Sequence, residues 1–335
     1  MMKKTNFEKI LNKKTLSKPY VIAEIGSNFN QNLKKAKELI KVAHKSGANA
    51  VKFQLFKSEE LYPEKDGLYK VFKEIELNPK WILNLKSFSN DLGMDFIVSP
   101  FDLKSVDELE KVNLDIYKIA SSETTNLNLI RYIAQKNKPI ILSTGMCDMI
   151  DVEEAIEVIQ NVGNSQICIL QCSSIYPLPL KLSNLNVILT LKKRFNFPVG
   201  LSDHTLDNIA SITAVGIGAR FFEKHITLNK KDNGPDHFYA QEPREFMKYV
   251  KDIKNACKCL GSFEKVMLEE EKKVGRRDGL YASKNLNKGS LIREKDVIIK
   301  RPALGIRSRY LKSILGSKVT KEIKRNEPIT WDNLK

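Results

Sequence analysis

Eight times along this chain a strand-length apolar run ends in polar residues and is followed by a stretch with helical spacing, and this repeat constrains the fold more than any other feature. The first run is Tyr20-Val-Ile-Ala-Glu24-Ile-Gly26, followed by Leu33, Ala36, Ile40 and Ala43 at helical intervals and by Gly47, which closes that helix. Asn49 to Gln54 supplies the second, then an insertion over residues 55–79 carrying Tyr62, Pro63, Gly67 and Pro79, and a helix from about Trp81 to Asp91. The remaining runs end near Ser99, Ala120, Ser143, Gln171, Leu201 and Lys224. Strands that alternate with helices lie parallel beneath them, and eight such units close a barrel. The expected class is therefore α/β, a (β/α)8 TIM barrel whose last helix runs from about Glu242 to Leu260.

The character of the chain then changes. Residues 263–279 are charged and read as a linker. Beyond them Tyr281-Ala-Ser-Lys, Asn287-Lys288-Gly289, Asp296 to Pro302 and Thr330-Trp331 form short segments with turn residues. The expected layout is a barrel over 1–262, a linker over 263–279 and a small unit over 280–335, which at that size folds alone only marginally. The formal charge of +16 comes mostly from lysine spread along solvated helix faces, which argues against a nucleic-acid partner. Arginine is distributed differently, with seven of eleven between Arg276 and Arg325, and arginine suits carboxylate and phosphate recognition. No apolar run approaches the roughly 18 residues that span a bilayer. The basic opening, Met1 to Lys18, has no apolar core of a signal peptide. Five scattered cysteines fit reduced thiols in the cytoplasm.

In such a barrel the C-terminal strand ends carry the active site. They supply Glu24, Asn28, Lys52, Gln54, Ser99, Lys118, Ser121, Glu123, Ser143, Thr144, Ser174, Tyr176, Ser202, His204, Lys224 and His225. Lys52 and Lys118 lie inside apolar strands, where an unpaired ammonium is costly. Either they pair with Glu24 or Glu123, or, with the hydroxyls of Ser121, Ser143, Thr144 and Ser202, they receive an anion such as phosphate. Two of the four histidines, His204 and His225, follow strands seven and eight. They are either hydrogen-bonded core residues or two ligands of an open divalent-metal site, since two neutral nitrogens without thiolates do not make a closed zinc site.

At these residues the sequence resembles the N-acetylneuraminate synthase family, the phosphoenolpyruvate-dependent sialic acid synthases with their legionaminic and pseudaminic acid relatives. The motifs are AEIGSN (23–28), VKFQ (51–54), SPFD (99–102), YKIASSE (117–123), LSTGM (142–146), IYP (175–177), GLSDHT (200–205), EKHITL (223–228), GPDH (234–237) and KRPALGI (300–306). The resemblance implies that the C-terminal unit is a SAF, or antifreeze-like, domain. It implies phosphoenolpyruvate at Lys52, Lys118, Ser121, Ser143, Thr144, Ser174 and Ser202, and an amino sugar at Gln54, Tyr176, Asp236 and Arg301. It also implies a divalent ion at His204 and His225, Mn2+ first with Mg2+ or Co2+ as alternatives. Glu24, Glu123 and Asp236 are the implied proton-transfer groups. The implied assembly is a domain-swapped homodimer in which Arg301 reaches the sugar's acyl group.

The chain departs from the family pattern at Phe29, Gln31 and Gln171, and Ser174 stands where some members have asparagine. Competing readings are a phosphoenolpyruvate aldol-type synthase making seven- or eight-carbon keto acids, and an inactive barrel carrying a carbohydrate-binding module. The sugar itself is not legible, and residues 62–81 are where its specificity is expected to be set.

Overall fold

The computed structural model describes residues 5–11 and 18–335, and the rest of the basic opening lies outside the described residues. Eight parallel strands close into a barrel: β1 (Tyr20–Gly26), β2 (Ala50–Leu55), β3 (Asp95–Pro100), β4 (Ile116–Ile119), β5 (Ile140–Ser143), β6 (Ile167–Cys172), β7 (Val199–Asp203) and β8 (Phe221–His225). The order is sequential, and β1 pairs with both β2 and β8, so that Glu24 faces Lys52 on one side and His225 on the other. Ahead of the barrel stands α1 (Asn6–Leu11), and around it run α2 (Leu33–Ser46), α3 (Ser58–Leu61), α4 (Gly67–Ile75), α5 (Ile82–Asp91), α6 (Leu103–Lys111), α7 (Leu127–Ala134), α8 (Met149–Asn161), α9 (Val187–Phe195), α10 (Ile209–Gly216) and α11 (Pro243–Cys259).

Local chemistry sets the ends of these elements. Asn32 caps α2 by accepting from the Lys34 and Lys35 amides, and Gly47 ends it at a φ of 81° that a side chain would resist. Asp148 and Asp151 form a capping box at the start of α8. Along each strand successive side chains alternate between the helix layer and the lumen. The outer set joins the main core with Leu39, Ile82, Val106, Ile130, Ile156 and Phe246 from the helices.

The inner set divides the lumen into two halves. Tyr20, Ile22, Ala50, Ile97, Ile116, Ile141, Cys168, Leu170 and Phe221 fill the N-terminal half, and Phe7 of α1 closes its floor with ring centroids 5.4 Å from Tyr20 and 5.3 Å from Phe221. Asp95 holds that plug, accepting from the Phe7 amide at 2.8 Å and the Tyr20 hydroxyl at 2.7 Å. The C-terminal half is polar.

The chain divides into two compact units after Gly261. The second contains α12 (Glu269–Val274) within the stretch expected as linker, and an antiparallel pair, β9 (Gly279–Ala282) with β10 (Val297–Lys300), in which Ala282 faces Val297. Its own core gathers Leu280, Ala282, Leu286, Ile292, Ile306, Ile314, Val319, Ile323 and Ile329. Gly305 is obligatory there, since a Cβ would sit 2.2 Å from the Ile329 carbonyl oxygen. Among the described residues no helix is long and apolar enough to cross a membrane.

Candidate active site in the barrel mouth

The upper lumen is a charged cluster closed off from solvent. Lys52 Nζ lies 3.0 Å from Glu24 Oε2 and 3.7 Å from Glu223 Oε2, and Lys118 Nζ lies 3.8 Å from Glu223 Oε1. Glu223 also accepts from Ser202 Oγ at 2.9 Å, Glu24 from Gln54 Nε2 at 2.7 Å, and Lys52 donates to Ser99 Oγ at 3.4 Å. Burial pushes the Glu24 carboxyl up against the pull of Lys52. It would do the same to Glu223, but Lys118 and Lys52 outweigh it and hold that carboxylate below its usual range. Burial lowers Lys118, so its charge depends on its neighbours.

Glu223 was not among the expected residues, and Glu123, offered as a partner for the lysines, is not in the cluster. Glu123 is half-buried on a 3-10 turn at Ser121–Glu123, where it accepts from Asn126 Nδ2 at 3.3 Å. The alternation of β8 carries the signal for Glu223: if His225 faces the lumen, so does the residue two before it. The same rule corrects Lys224, which turns outward to Asp203, 3.2 Å away, and takes no part in the mouth.

Past the ends of β4 and β5 the backbone forms a notch. Gly145 N donates to Ser121 Oγ at 3.0 Å, and a Cβ on Gly145 would stand 2.4 Å from Ser174 Oγ and 2.9 Å from Ser121 Oγ. Ser143 Oγ is buried with no hydrogen-bond partner among the described residues. The notch thus packs two serine hydroxyls against a backbone that only glycine can supply, two residues after the unused Ser143 hydroxyl, features suited to an anion. Thr144 spends its hydroxyl on the Leu170 carbonyl at 3.0 Å and faces a neighbouring cavity of about 470 Å3 lined also by Cys147, Cys172 and Ser174.

The two histidines stand with ring centroids 5.6 Å apart. His204 Nδ1 is 2.9 Å from the Ser173 carbonyl, an acceptor only, so Nδ1 carries a proton and Nε2 is the nitrogen left for a ligand; burial lowers this imidazole, but the Cys172 thiol and the Ser173 carbonyl outweigh it and raise it above its ordinary value. Burial lowers His225 to about 3, which keeps it neutral, and its Nδ1 is a buried atom without a hydrogen-bond partner, 4.0 Å from Asp236 Oδ2. Among the described residues no group of three or more His, Cys, Asp and Glu side chains is gathered so as to hold a metal ion. The two imidazoles nevertheless fit two protein ligands of an open site, whose other positions would go to water and substrate.

Asp236 arrives on a fastened loop. His237 behind it meets Thr227 Oγ1 at 2.7 Å and Asn30 Oδ1 at 2.7 Å, and Lys35 pairs with Asp232. The Asp236 carboxylate accepts from Ser27 Oγ at 3.2 Å and from the Tyr239 hydroxyl at 2.7 Å. Gly26, at a φ of 52°, makes room, since a Cβ there would be 2.9 Å from Asp236 Oδ2. Tyr239, another residue sequence reasoning missed, forms an aromatic wall with Tyr176 at 5.1 Å, and Tyr176 lies 4.2 Å from the His204 ring.

The departures from the family pattern contribute to packing rather than to this cluster. Phe29 is buried 6.0 Å from the Phe53 ring, Gln31 donates to the Glu76 carbonyl, and Gln171 turns toward the Ser183 carbonyl at 3.4 Å. Arg301 belongs to the second unit, where its Nε donates to Asp278 Oδ1 at 2.6 Å.

A closed (β/α)8 barrel whose polar mouth holds two lysines and two histidines defines a class of barrel enzymes, and comparison with known proteins narrows it. The NeuB family model matches residues 39–265 and the SAF domain model residues 277–335, and the chain belongs to the NeuB family. It is 36% identical to the N,N'-diacetyllegionaminic acid synthase of Legionella pneumophila over 94% of both chains. It is 32% identical to the pseudaminic acid synthase of Helicobacter pylori over 95% of this chain and 98% of that one. Among solved structures, the N-acetylneuraminic acid synthetase of Leptospira borgpetersenii, in complex with citrate, superposes with a TM-score of 0.73 at 32% identity, covering 77% of this chain and 90% of that one.

Proposed function

We propose that the protein condenses phosphoenolpyruvate with an open-chain N-acylated hexosamine and water, giving a nine-carbon 2-keto sugar acid and inorganic phosphate. The observation that carries this is the pairing of two buried lysines and an unused Ser143 hydroxyl with two imidazoles, one of them with an unpartnered Nδ1, in the same mouth. The relatives' names support a nonulosonic acid product. A 6-deoxy diacetamido hexose of the legionaminic series is the first substrate to test, because identity is higher to the legionaminic enzyme, 36%, than to the pseudaminic one, 32%.

In this reading the phosphate lies against Lys52, Lys118, Ser143 and the Gly145 notch with Ser121 and Ser174, where charge-assisted bonds are strongest. Ser202 keeps Glu223 turned toward the lysines. Gln54, Tyr176 and Asp236 orient the sugar, with Asp236 itself held by Ser27 and Tyr239. His204 and His225 hold a divalent ion, Mn2+ first, which when bound supplies Lewis-acid polarisation of the aldehyde. C3 of phosphoenolpyruvate forms the new bond to the aldehyde carbon, whose oxygen takes up a proton. Water then adds to C2, and the tetrahedral phosphate ester expels phosphate to leave the keto group. Glu24 and Asp236 are the carboxyls near enough to move these protons, and Glu123 stands apart from them.

The proposal includes a domain-swapped homodimer in which Arg301 meets the sugar's acyl group. Arg301→Ala then raises KM for the sugar and leaves KM for phosphoenolpyruvate unchanged; equal rises in both remove that role. The test of the whole reading is phosphate release from phosphoenolpyruvate with Mn2+ and N-acetylmannosamine or the diacetamido hexoses side by side. Turnover with at least one sugar, lost in His204→Ala with His225→Ala, is expected, and silence with every sugar refutes it.

A further inference from the structure

Behind the two histidines, on the outer side of the barrel wall, lies a second buried polar cluster that the reaction above does not use. Asp203 and Lys224 are the sequence neighbours of His204 and His225, and strand alternation turns them into the layer between β7, β8, α10 and α11. Both side chains are closed to solvent and lie 3.2 Å apart. Asp203 Oδ1 accepts from the Thr205 amide at 2.9 Å and the Thr205 hydroxyl at 2.8 Å. Its Oδ2 accepts from Ser211 Oγ at 2.7 Å, which in turn lies 2.9 Å from the Tyr249 hydroxyl. Lys224 Nζ donates to the Thr205 carbonyl and, at 3.3 Å, to the Asp207 carbonyl, and stands 5.4 Å over the Tyr249 ring.

The loop that leaves β7 is therefore gripped directly after His204, at Thr205 and Asp207, by a side chain anchored on β8 directly before His225. Two further bonds hold the same loop: the Leu178 amide to the His204 carbonyl at 2.9 Å and Gln241 Nε2 to the Leu206 carbonyl at 2.8 Å. A buried ion pair is weak evidence for stability, because desolvation offsets most of the attraction. What this pair does specify is geometry, since it ties the segment carrying one imidazole to the strand carrying the other.

We infer that the Asp203–Lys224 pair is the positioning device of the divalent-ion site, fixing the separation of the His204 and His225 imidazoles and through it the affinity for the ion. The inference rests on the reading of those histidines as ligands. Partners that orient ligands from outside the coordination sphere typically change metal affinity by about 10–100-fold.

The test titrates Mn2+ alone into the full-length chain and reads free Mn2+ by electron paramagnetic resonance. Asp203→Asn keeps an acceptor for Thr205 while removing the charge, Lys224→Met removes the ammonium, and the double variant leaves neither charge without its partner. Each is expected to bind Mn2+ about 10–100-fold more weakly than wild type, with KM for phosphoenolpyruvate unchanged and kcat restored to within a few-fold at saturating Mn2+. Wild-type Mn2+ affinity with only a lower melting temperature overturns the inference, because the pair is then structural alone. If Lys224→Met does not fold, Asp203→Asn carries the same comparison. The two readings fail differently: unchanged Mn2+ affinity in His204→Ala with His225→Ala, or no binding by wild type, overturns the ligand assignment and the inference with it.

Discussion

Replacing Glu223 by glutamine removes one negative charge from a lumen that holds two ammonium groups within 3.7 and 3.8 Å of it. At an effective dielectric near 20, opposite charges at about 4 Å attract by about 4 kcal/mol, so Glu223 supplies a gross attraction of about 8 kcal/mol to the pair. Much of that is offset by the cost of taking three charges out of water, and deleting one member of a buried pair costs about 3–5 kcal/mol net. Glutamine preserves the shape and still accepts from Ser202, so the loss reports charge rather than packing. A loss of that size lowers the melting temperature on the order of 10 °C for a domain this large.

The informative measurement is the rescue. If Glu223 is the standing counter-charge of Lys52 and Lys118, an incoming anion replaces part of what the variant lacks. Inorganic phosphate is therefore expected to raise the melting temperature of Glu223→Gln more than that of wild type at equal concentration, measured by differential scanning fluorimetry with chloride as the control anion. A variant that melts within 1 °C of wild type (about 0.5 kcal/mol or less) refutes the counter-charge argument. A variant that is destabilised but gains no extra shift from phosphate refutes the placement of the anion beside the lysines.

Two glycines separate site from scaffold. Gly145→Ala places a Cβ against the Ser174 and Ser121 hydroxyls, which can swing aside, so the chain folds but loses one or two charge-assisted bonds; KM for phosphoenolpyruvate rises about 10–100-fold, and an unchanged KM refutes the notch. Gly200→Ala places its Cβ 2.0 Å from the Phe221 carbonyl oxygen, backbone that cannot yield, so soluble protein is expected to be lost in expression trials, and a soluble variant of wild-type stability contradicts the β7–β8 register. Glu76 is pulled upward by burial, but the Ser58 amide and hydroxyl with Lys57 and Lys73 outweigh this and hold it at about 2. Because the folded value lies below the unfolded one of 4.5, its stabilisation is present above about pH 4.5 and lost as pH falls toward 2. Allowing for solvent screening, Glu76→Gln costs about 1–2 kcal/mol at pH 7 and much less at pH 2.5 in urea melts, and a cost that does not shrink with pH refutes the linkage.

The barrel was legible because each unit is local: an apolar run, a turn and a helical stretch can be read without knowing what they touch. What escaped the sequence is mostly non-local. Phe7 sits in a lysine-rich opening that reads as solvated leader, and its partner Asp95 is 88 residues away, so no local pattern announces that this ring plugs the barrel floor. The insertion after β2 contains α3 and α4, and α4 spaces Leu68, Val71, Phe72 and Ile75 as a helical apolar face yet buries none of its residues completely, so the pattern there does not report a core. The stretch expected as linker contains the six-residue α12 for a comparable reason, a short charged helix with no buried residue.

The charged mouth was misread in a way that the strand period explains. Taking the last two residues of β8 together sets Lys224 beside His225, whereas a period of two puts them on opposite faces and pairs His225 with Glu223 instead. The two faces of the same strand ends then divide the work. Inward, Glu223 counters Lys52 and Lys118 and is held by Ser202; outward, Lys224 pairs with Asp203, the residue next to Ser202. The wall between β7 and β8 therefore carries two ion clusters back to back, one set around the substrate phosphate in our proposal and one gripping the loop of His204. A one-residue register shift between these strands exchanges the faces of both clusters at once, and the close approach of Gly200 to the Phe221 carbonyl is what the backbone offers against that slip.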